Sequence, residues 1–347
     1  QEGLDVKMPA SLALTGATGW LGQAILSELQ TTHSTVRISA LALPGAGPGL
    51  RARYPDLQLD VVEGDVRDAP FVLAWMESAQ PDAVIHAAGI IHPRTPDEFA
   101  SVNSRGTQHV CDAARQTGVV RFVHISSNSP FGLNASPIDV FTANEPYNPY
   151  MGYGHSKMQA ELAVREISRS GTMTAVILRP PWFYGPNQPE RQATFLSLVR
   201  KGRFPVPGDG SQRRSMVFVP DLARAALAAT TEQATPGEYW IADASPYALT
   251  DIVRLTQEAL TAEGLPVRPG FRSIPEWVSA AARKVDGVAQ SRGRYSAQIH
   301  VLGELGATIA CEVGPAREAL GWSPGPGLVS GMRAAIQDWV GRGLPIN

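Results

Sequence analysis

The stretch TGATGWLG, residues 15–22, decides the fold of this chain. Its glycines, Gly16, Gly19 and Gly22, recur every third residue after an apolar run at 11–15 and at the start of an amphipathic segment. Glycine is needed where a backbone turns tightly, approaches a pyrophosphate and packs against a sheet. The first N–H groups of the following helix would face the phosphates. The stretch therefore predicts a dinucleotide-binding turn, with a plain strand-to-helix turn as the alternative.

Apolar runs of strand length alternate with helical stretches on the C-terminal side of this turn. Strands are predicted at 11–15, 36–43, 58–63, 83–87, 122–126 and 174–178, and helices at 20–29, 71–79, 103–117 and 153–169. This alternation is typical of βαβ units that form a parallel sheet, the α/β class. Pro and Gly become frequent after Pro180. We therefore expect a dinucleotide-binding domain at 10–180, rejoined by 216–243, and a smaller substrate-binding lobe at 181–215 and 244–340.

Composition narrows the class of partner. The 347 residues are 44% hydrophobic and 18% charged, with a net charge of −2. No basic run favours nucleic acid or an anionic membrane, and no apolar run reaches the roughly 20 residues that span a bilayer. The two cysteines, Cys111 and Cys311, lack metal-ligand spacing, and we expect buried thiols and no metal. The start of the chain lacks the features of a signal peptide, so a cytoplasmic protein that binds small molecules is predicted.

The segment YGHSK, residues 153–157, carries the chemistry. Tyr153 and Lys157 are four residues apart, so a helix places them on one face. A free phenol has a pKa of about 10, and a nearby ammonium stabilises the phenolate. We therefore expect Lys157 to lower the pKa of Tyr153 toward neutrality, where Tyr153 can act as an acid or base.

Three further segments bear on the cofactor. Asp65 and Val66 follow the third strand, where side chain and backbone can bind an adenine, and the small residues Ala87, Ala88 and Gly89 end the fourth. Asp65 as a simple turn residue is the alternative. An acid about 20 residues after the glycines would bind the ribose of NAD. Residues 39–45, SALALPG, contain none, which slightly favours NADP, although the usual arginine is also missing unless Arg51 or Arg53 folds back.

With these motifs in place, the chain resembles the extended short-chain dehydrogenase/reductase superfamily, and within it the nucleotide-sugar epimerase and dehydratase family. The resemblance runs from residue 12 to about 322. Its motifs are TGATGWLG at 15–22, GDV at 64–66, HAAG at 86–89, NSRGT at 103–107, SSNSPFG at 126–132, YGHSK at 153–157, RPPWFYGP at 179–186, RRSMVFVPDL at 213–222 and LGW at 320–322. The resemblance implies a Rossmann-type doubly wound parallel sheet, a smaller C-terminal α/β lobe and a homodimer.

The resemblance also assigns roles residue by residue. The family's catalytic residues fall on Ser127, Tyr153 and Lys157, with Ser126 and Ser129 as competing positions for the serine. The residues expected at the cofactor are Gly16, Thr18, Gly19, Trp20, Leu21, Gly22, Asp65, Val66, Ala87, Ala88, Gly89, Asn103, Lys157 and Pro180. Asn103 has a second interpretation, as a structural residue at the end of a strand or helix.

Substrate contacts are expected from Ser127, Asn187, Arg191 and Arg214. Arg214 has the position of the family's diphosphate-binding arginine, and a solvated surface pair with Arg213 is the alternative. One departure concerns the reaction. The family's 4,6-dehydratases carry Thr-Asp-Glu where this chain has Ser-Asn-Ser at 127–129, so the acid and base for eliminating water are missing.

The sequence therefore predicts an NAD(P)-dependent enzyme that transfers hydride at a secondary alcohol or ketone of a nucleotide-activated sugar, as a 4-epimerase or a keto-reductase. One alternative keeps the fold and changes the substrate to a hydrophobic ketone or hydroxysteroid-like molecule. Another is a non-catalytic NAD(P)-binding sensor, which would have no need for Ser127, Tyr153 and Lys157.

Overall fold

The structure is a computed structural model that describes residues 8–171 and 173–346. Its strands are β1 (Ser11–Thr15), β2 (Arg37–Ala42), β3 (Leu59–Glu63), β4 (Ala83–His86), β5 (Arg121–Ile125), β6 (Thr174–Arg179), β7 (Trp182–Tyr184), β8 (Pro205–Pro207), β9 (Arg213–Arg214), β10 (Met216–Phe218), β11 (Gly237–Trp240), β12 (Tyr247–Ala248) and β13 (Arg272–Ile274). The first six strands lie within one residue of their predicted bounds.

The α-helices are α1 (Trp20–Thr31), α2 (Gly47–Arg53), α3 (Ala69–Ala79), α4 (Thr107–Gln116), α5 (Met151–Arg169), α6 (Ala193–Arg200), α7 (Val219–Ala228), α8 (Leu249–Ala262), α9 (Glu276–Ser291), α10 (Ala297–Leu305), α11 (Gly314–Leu320) and α12 (Gly327–Gly341). Short 3-10 turns lie at Ser129–Phe131 and Glu190–Gln192, and a π-helix lies at Phe99–Gly106. None of the described helices is both long and apolar enough to cross a bilayer.

Seven strands form the central sheet in the order β11-β6-β5-β4-β1-β2-β3, and all neighbouring pairs are parallel. The chain moves outward from β1 to β3 and then returns to place β4 beside β1. This is the topological switch point of a doubly wound sheet, where ligands bind outside the carboxyl ends of the strands. The predicted Rossmann-type fold is confirmed.

Helices cover both faces of this sheet, so the inner strands β1, β4, β5 and β6 are buried on both sides, whereas the edge strand β3 keeps exposed positions. On one face, β1 packs with α1 and α7 through residues such as Leu12, Ile25 and Leu222. On the other face, α3, α4 and α5 contribute Trp75, Val110 and Val164. Cys111 lies in this second core and Cys311 in a separate one, and both are free, buried thiols, as predicted.

Another core, separate from the two that cover the faces of the sheet, lies in the C-terminal part of the chain. It is formed by α6, α8 and α12 around Leu196, Leu249 and Trp339. The strand β11 lies at the edge of the central sheet, whereas β10 pairs in parallel with β7 outside it. The predicted division into two domains stays a prediction, and the first seven residues of the polar start lie outside the described residues.

One helix differs from its prediction. The stretch predicted as a helix from residue 103 begins earlier, as the π-helix Phe99–Gly106, and continues as α4. Widened turns of this kind accompany side chains that bond across elements. Here Asn103 is buried within the π-helix and bonds to the backbone of Ile90, which follows β4.

Candidate active site

The glycine turn between β1 and α1 leaves backbone donors open at the switch point. Gly16 has φ of +69°, and a Cβ there would lie 2.7 Å from backbone atoms of Ala87. A Cβ on Gly22 would lie 2.2 Å from the Gly16 carbonyl oxygen. Gly19 caps α1 without a side-chain acceptor for the first-turn N–H groups. The turn therefore has the close approach and the free donors that fit the pyrophosphate of a dinucleotide.

Buried polar side chains join β1 to β4 across the switch point. Thr15 Oγ1 bonds His86 Nδ1 at 2.7 Å and accepts from the Ala88 N–H at 3.1 Å. The other ring nitrogen of His86 lies 2.9 Å from Thr107 Oγ1. Burial, and next the positive charge of Lys157, lower the pKa of His86 to about 3, so the ring is neutral. This chain of hydrogen bonds fixes the start of the segment Ala87, Ala88 and Gly89.

Asn103 holds the end of the same segment. Its side chain accepts from the Ile90 N–H at 2.8 Å and donates to the Ile90 carbonyl at 3.0 Å and to Ser156 Oγ at 3.0 Å. A Cβ on Gly89 would lie 3.5 Å from Lys157 Nζ, so glycine keeps the space beside the ammonium open. The geometry gives Asn103 a positioning role, and the predicted contact with the cofactor stays a prediction.

Asp65 and Val66 follow β3, two strands from the switch point. The Asp65 carboxylate accepts from Arg67 Nη2 at 2.6 Å, and this hydrogen bond lowers the pKa of Asp65. The Val66 carbonyl accepts from His109 Nδ1 at 2.9 Å. The Asp65 side chain is therefore engaged by a neighbouring cation, and an adenine would share that carboxylate. Its role at the cofactor stays a prediction.

Ser127, Tyr153 and Lys157 come together at the carboxyl end of β5. Ser127 follows β5. Tyr153 and Lys157 lie on the buried face of α5. The Ser127 hydroxyl lies near enough to the Tyr153 phenol to act to lower the pKa of Tyr153. Lys157 Nζ donates to the Ile125 carbonyl at 2.7 Å. The sequence therefore places a phenol, a hydroxyl and an ammonium in one buried site beside the glycine turn.

The acidity of Tyr153 differs from the expectation. Burial raises the pKa of Tyr153 to about 12 and outweighs the lowering by the Ser127 hydrogen bond. Burial also lowers the pKa of Lys157 to about 8. The expectation that Lys157 brings the pKa of Tyr153 toward neutrality was wrong for this structure, because desolvation disfavours both charged forms. Tyr153 holds its proton at neutral pH, which suits the protonation of a ketone oxygen.

The neighbouring serines have other partners. Ser126 Oγ donates to Glu161 Oε1 at 2.5 Å in a buried pair. Ser129 Oγ lies 3.4 Å from Ser127 Oγ and makes no hydrogen bond to Tyr153 among the described contacts. Of the three candidates, Ser127 is the one that contacts the phenol.

The lowered pKa of Lys157 predicts a pH dependence of stability. The side chain loses its proton at about pH 8 in the folded protein and at 10.5 when unfolded. In this window the unfolded chain binds more protons, so the stability conferred by this group rises with pH, by up to about 1.4 kcal/mol per pH unit. Urea unfolding of nucleotide-free protein should show this rise relative to Lys157→Met. Parallel curves for the two proteins would contradict the shift.

Arg214 is buried, in contrast to its neighbour in sequence. It lies in β9, which pairs with β12, and its Nη2 donates to the Glu304 carbonyl. Its Nε has no hydrogen-bond partner among the described residues. Arg213 points elsewhere and donates at 2.9 Å to the carbonyls of Pro137 and Asp139. The two arginines are therefore not equivalent members of a surface pair.

Residues that the sequence did not single out surround Arg214. Tyr150 precedes α5, and Arg283 and Asp286 lie on α9. The Tyr150 hydroxyl, Arg283 Nε and Asp286 Oδ1 are buried without a hydrogen-bond partner in the described part of the chain. Asp286 also accepts from His300 of α10, with 2.7 Å between Oδ2 and Nδ1. Buried polar atoms are normally paired, so this cluster indicates a binding site. The one sequence feature that could have pointed to these three residues is the position of Tyr150 just before YGHSK.

Neither of the other two predicted substrate residues is hydrogen-bonded to this cluster in the described contacts. Asn187 Oδ1 accepts from Arg53, which also bonds Gln23 of α1, so Asn187 lies near the glycine turn. Arg191 is exposed, and its charge adds to burial in lowering the pKa of His92. Pro180 is buried directly after β6. The structure does not bring Asn187 or Arg191 into contact with Arg214.

The start of α1, just after the glycine turn, also contacts β7 and the loop that follows it. Trp20, in the first turn of α1, donates through Nε1 to the Pro186 carbonyl at 2.7 Å. Its ring packs against Phe183 of β7, with 5.9 Å between the centroids. Thr18 accepts from the Gln23 side chain through its carbonyl, at 2.9 Å. The loop after β7 therefore lies against the start of α1, beside the donors of the turn.

Comparisons with known proteins agree with this geometry. The model of the NAD dependent epimerase/dehydratase family matches residues 12–242. The protein y4nL of Sinorhizobium fredii is 38% identical over 98% of both chains. The dTDP-glucose 4,6-dehydratase of Neisseria gonorrhoeae is 28% identical over 94% of both chains. The UDP-glucose 4-epimerase of Thermotoga maritima, solved with UDP-glucose, superimposes with a TM-score of 0.75 at 18% identity, covering 96% of this chain and 99% of that one.

Proposed function

Since the chain belongs to the NAD-dependent epimerase/dehydratase family, we propose that it transfers hydride at a secondary alcohol or ketone of a nucleotide-activated sugar. The observation that carries this proposal is that Ser127, Tyr153 and Lys157 are buried close together, with Lys157 beside Gly89 and the open glycine turn. When bound, the nicotinamide ring supplies or accepts the hydride. A sensor that only binds the cofactor would not need this proton-transfer site.

Each side chain then has a definite task. Tyr153 gives its proton to the substrate oxygen when a ketone is reduced and takes it back when an alcohol is oxidised. The Ser127 hydroxyl, which lies near the phenol, holds that oxygen in place. Lys157 lies across the open space kept by Gly89 and can hold a ribose hydroxyl of the dinucleotide. Burial of all three groups excludes water from the reacting atoms.

The segment after β5 favours epimerisation or simple reduction over dehydration. Asn128 and Ser129 follow Ser127, and neither carries a carboxyl group. The Asn128 Oδ1 and Ser129 Oγ atoms lie 3.5 and 3.4 Å from Ser127 Oγ, so both positions face the catalytic serine. An enzyme that eliminates water at C5 and C6 needs an acid and a base there. We therefore propose a 4-epimerase or a keto-reductase, although a dehydratase is among the relatives.

The cluster around Arg214 supports a nucleotide diphosphate as the handle of the substrate. Arg214 and Arg283 each have an unpaired, buried Nε, and the Tyr150 hydroxyl is unpaired beside them. Burial lowers the pKa of Arg214, which shows the cost of holding that charge away from water. Two guanidinium groups bind phosphate oxygens with directional, charge-assisted hydrogen bonds. A hydrophobic ketone would leave these donors unpaired.

Replacing Arg214 with Ala tests the substrate class. A hydrogen bond to a charged group contributes about 1.5–3 kcal/mol, so the dissociation constants for UDP-glucose and dTDP-glucose should rise about 10- to 100-fold. Arg213→Ala is the matched control, since Arg213 bonds only to loop carbonyls in the described contacts and should leave binding unchanged. Calorimetry on the folded variants measures both. Unchanged affinity and turnover in Arg214→Ala would favour the hydrophobic ketone instead.

The two proposed reactions differ in their use of cofactor. A 4-epimerase returns the hydride to the same sugar and needs no second substrate. A keto-reductase consumes one reduced dinucleotide for each product. Product analysis of nucleotide sugars incubated with sub-stoichiometric dinucleotide separates them, because only the epimerase completes many turnovers. The predicted homodimer and the predicted cellular location stay predictions.

A further inference from the structure

The loop after β2 lacks the residue that usually selects the dinucleotide. In sheets of this kind a carboxylate about 20 residues beyond the glycines binds the 2′-hydroxyl of the adenosine ribose, or a nearby arginine binds the 2′-phosphate of NADP. Here Ala42 ends β2 and is followed by Leu43, Pro44 and Gly45. Leu43 is 59% exposed and offers no polar group. On its own, β2 therefore leaves the choice of dinucleotide open.

A carboxylate reaches this loop from the neighbouring strand. Glu63 ends β3 and pairs in register with Ala42, so both residues lie at the same carboxyl edge of the sheet. Glu63 Oε2 accepts from the Gly45 N–H at 3.0 Å, and Oε1 accepts from the Gly47 N–H at 2.9 Å. These two hydrogen bonds lower the pKa of Glu63, which is exposed and therefore ionised at neutral pH. A negative charge is thus fixed in the loop that the ribose would approach.

The arginines that could compensate are directed elsewhere. Arg51 donates to the Val61 carbonyl and lies 3.8 Å from Asp60. Arg53 is bonded to the side chains of Gln23 and Asn187. Neither guanidinium is hydrogen-bonded to the loop between β2 and α2 in the described contacts. The charge of Arg51 is near enough to contribute, as the smallest cause, to the lowered pKa of Glu63. A 2′-phosphate would nevertheless meet Glu63 with no guanidinium hydrogen-bonded to the loop.

We propose that Glu63 selects NAD over NADP, in place of the carboxylate that β2 lacks. Its oxygens have lone pairs beyond those used by Gly45 and Gly47, and these can accept the 2′-hydroxyl of NAD. A 2′-phosphate would instead be repelled by the carboxylate and would find both N–H donors occupied. The slight preference for NADP from the sequence arose because β2 alone was considered. This inference rests on the cofactor half of the proposed function and is independent of the sugar.

The test is the ratio of the dissociation constants for NAD⁺ and NADP⁺, measured by calorimetry on full-length protein stripped of nucleotide. Wild type should bind NAD⁺ the more tightly. Glu63→Gln removes the charge and keeps the size of the side chain. The preference for NAD⁺ over NADP⁺ should therefore fall by about tenfold or more, mainly through tighter NADP⁺ binding. Asp60→Asn is the matched control, because Asp60 is an exposed carboxylate on the same strand that makes no hydrogen bond to the loop in the described contacts. It should leave the ratio unchanged.

A purely structural role for Glu63 has a different signature. If Glu63 only supported the loop, Glu63→Gln would weaken both dinucleotides by the same factor, and the proposal would be overturned. Wild type that binds NADP⁺ as tightly as NAD⁺ would overturn it as well. Glu63→Asp keeps the charge while shortening the side chain, and it should still reject NADP⁺. The binding measurement uses no sugar. Absence of turnover on nucleotide sugars would therefore refute the proposed substrate without changing what the ratio of dissociation constants says about Glu63.

Discussion

Replacing Tyr153 with Phe is expected to lower turnover by about 10²- to 10⁴-fold, the usual contribution of a positioned acid or base. The variant loses the phenolic hydroxyl that is proposed to exchange a proton with the substrate oxygen. The ring still packs against Phe99, with 5.7 Å between the centroids, so the fold is retained. NAD⁺ affinity should change little, because the residues proposed to bind the cofactor, the glycine turn and Lys157, are unchanged. Turnover on nucleotide sugars and calorimetry with NAD⁺ measure the two effects.

Tyr239→Phe is the matched control for this experiment. The Tyr239 hydroxyl donates to the Thr235 carbonyl at 3.0 Å, at the edge strand β11 and away from the carboxyl ends of the sheet. Its loss should leave turnover unchanged. If Tyr153→Phe kept wild-type turnover, Tyr153 would not be the acid or base. If Tyr153→Phe lost both turnover and NAD⁺ binding, Tyr153 would be a cofactor-binding residue instead.

Replacing Arg179 with Met is expected to cost about 3–5 kcal/mol of stability, the usual effect of removing one partner from a buried ion pair. Arg179 and Glu161 are both 0% exposed, and Arg179 Nη2 lies 2.8 Å from Glu161 Oε2. The same nitrogen lies 2.7 Å from Glu238 Oε2. Without the guanidinium, Glu161 keeps only the hydrogen bonds from Ser126 and Tyr147. Denaturant unfolding of nucleotide-free protein measures the loss.

Arg165→Met provides the comparison for this prediction. Arg165 pairs with the same Glu238, but both side chains are partly exposed, at 28% and 24%. Solvent screening limits such a pair to about 1 kcal/mol or less. Arg179→Met should therefore lower the free energy of unfolding clearly more than Arg165→Met does. Equal losses would mean that burial of Arg179 does not determine the energy of this network.

The elements nearest the glycine turn could be predicted because their signals are local. Strands of a parallel sheet are rich in apolar residues, and these runs predicted six strands of the central sheet to within one residue. The order of TGATGWLG, YGHSK and RPPWFYGP carried the family resemblance, and the family is confirmed. The spacing of Tyr153 and Lys157 placed both on the buried face of α5.

What the sequence could not predict depends on contacts between distant segments. Arg283 and Asp286 come near Tyr150, which also lies near Arg214, only because α9 packs against α5 and β8, and no local pattern marks them. Glu63 reaches the loop after β2 through the register of β2 and β3. The pKa of Tyr153 was misjudged because spacing reports which charges are near, whereas burial decides which charged forms are stable.

The most direct test of the proposed function uses UDP-glucose and dTDP-glucose labelled with deuterium at C4. The purified protein is mixed with each sugar and NAD⁺, and absorbance near 340 nm and product stereochemistry are followed. We expect hydride removal from C4, seen as reduced dinucleotide, with the deuterium returned to C4 by an epimerase or left on the dinucleotide by a keto-reductase that runs in reverse. If both sugars bind but remain unchanged, with no reduced dinucleotide formed, the account of hydride transfer at C4 would be contradicted.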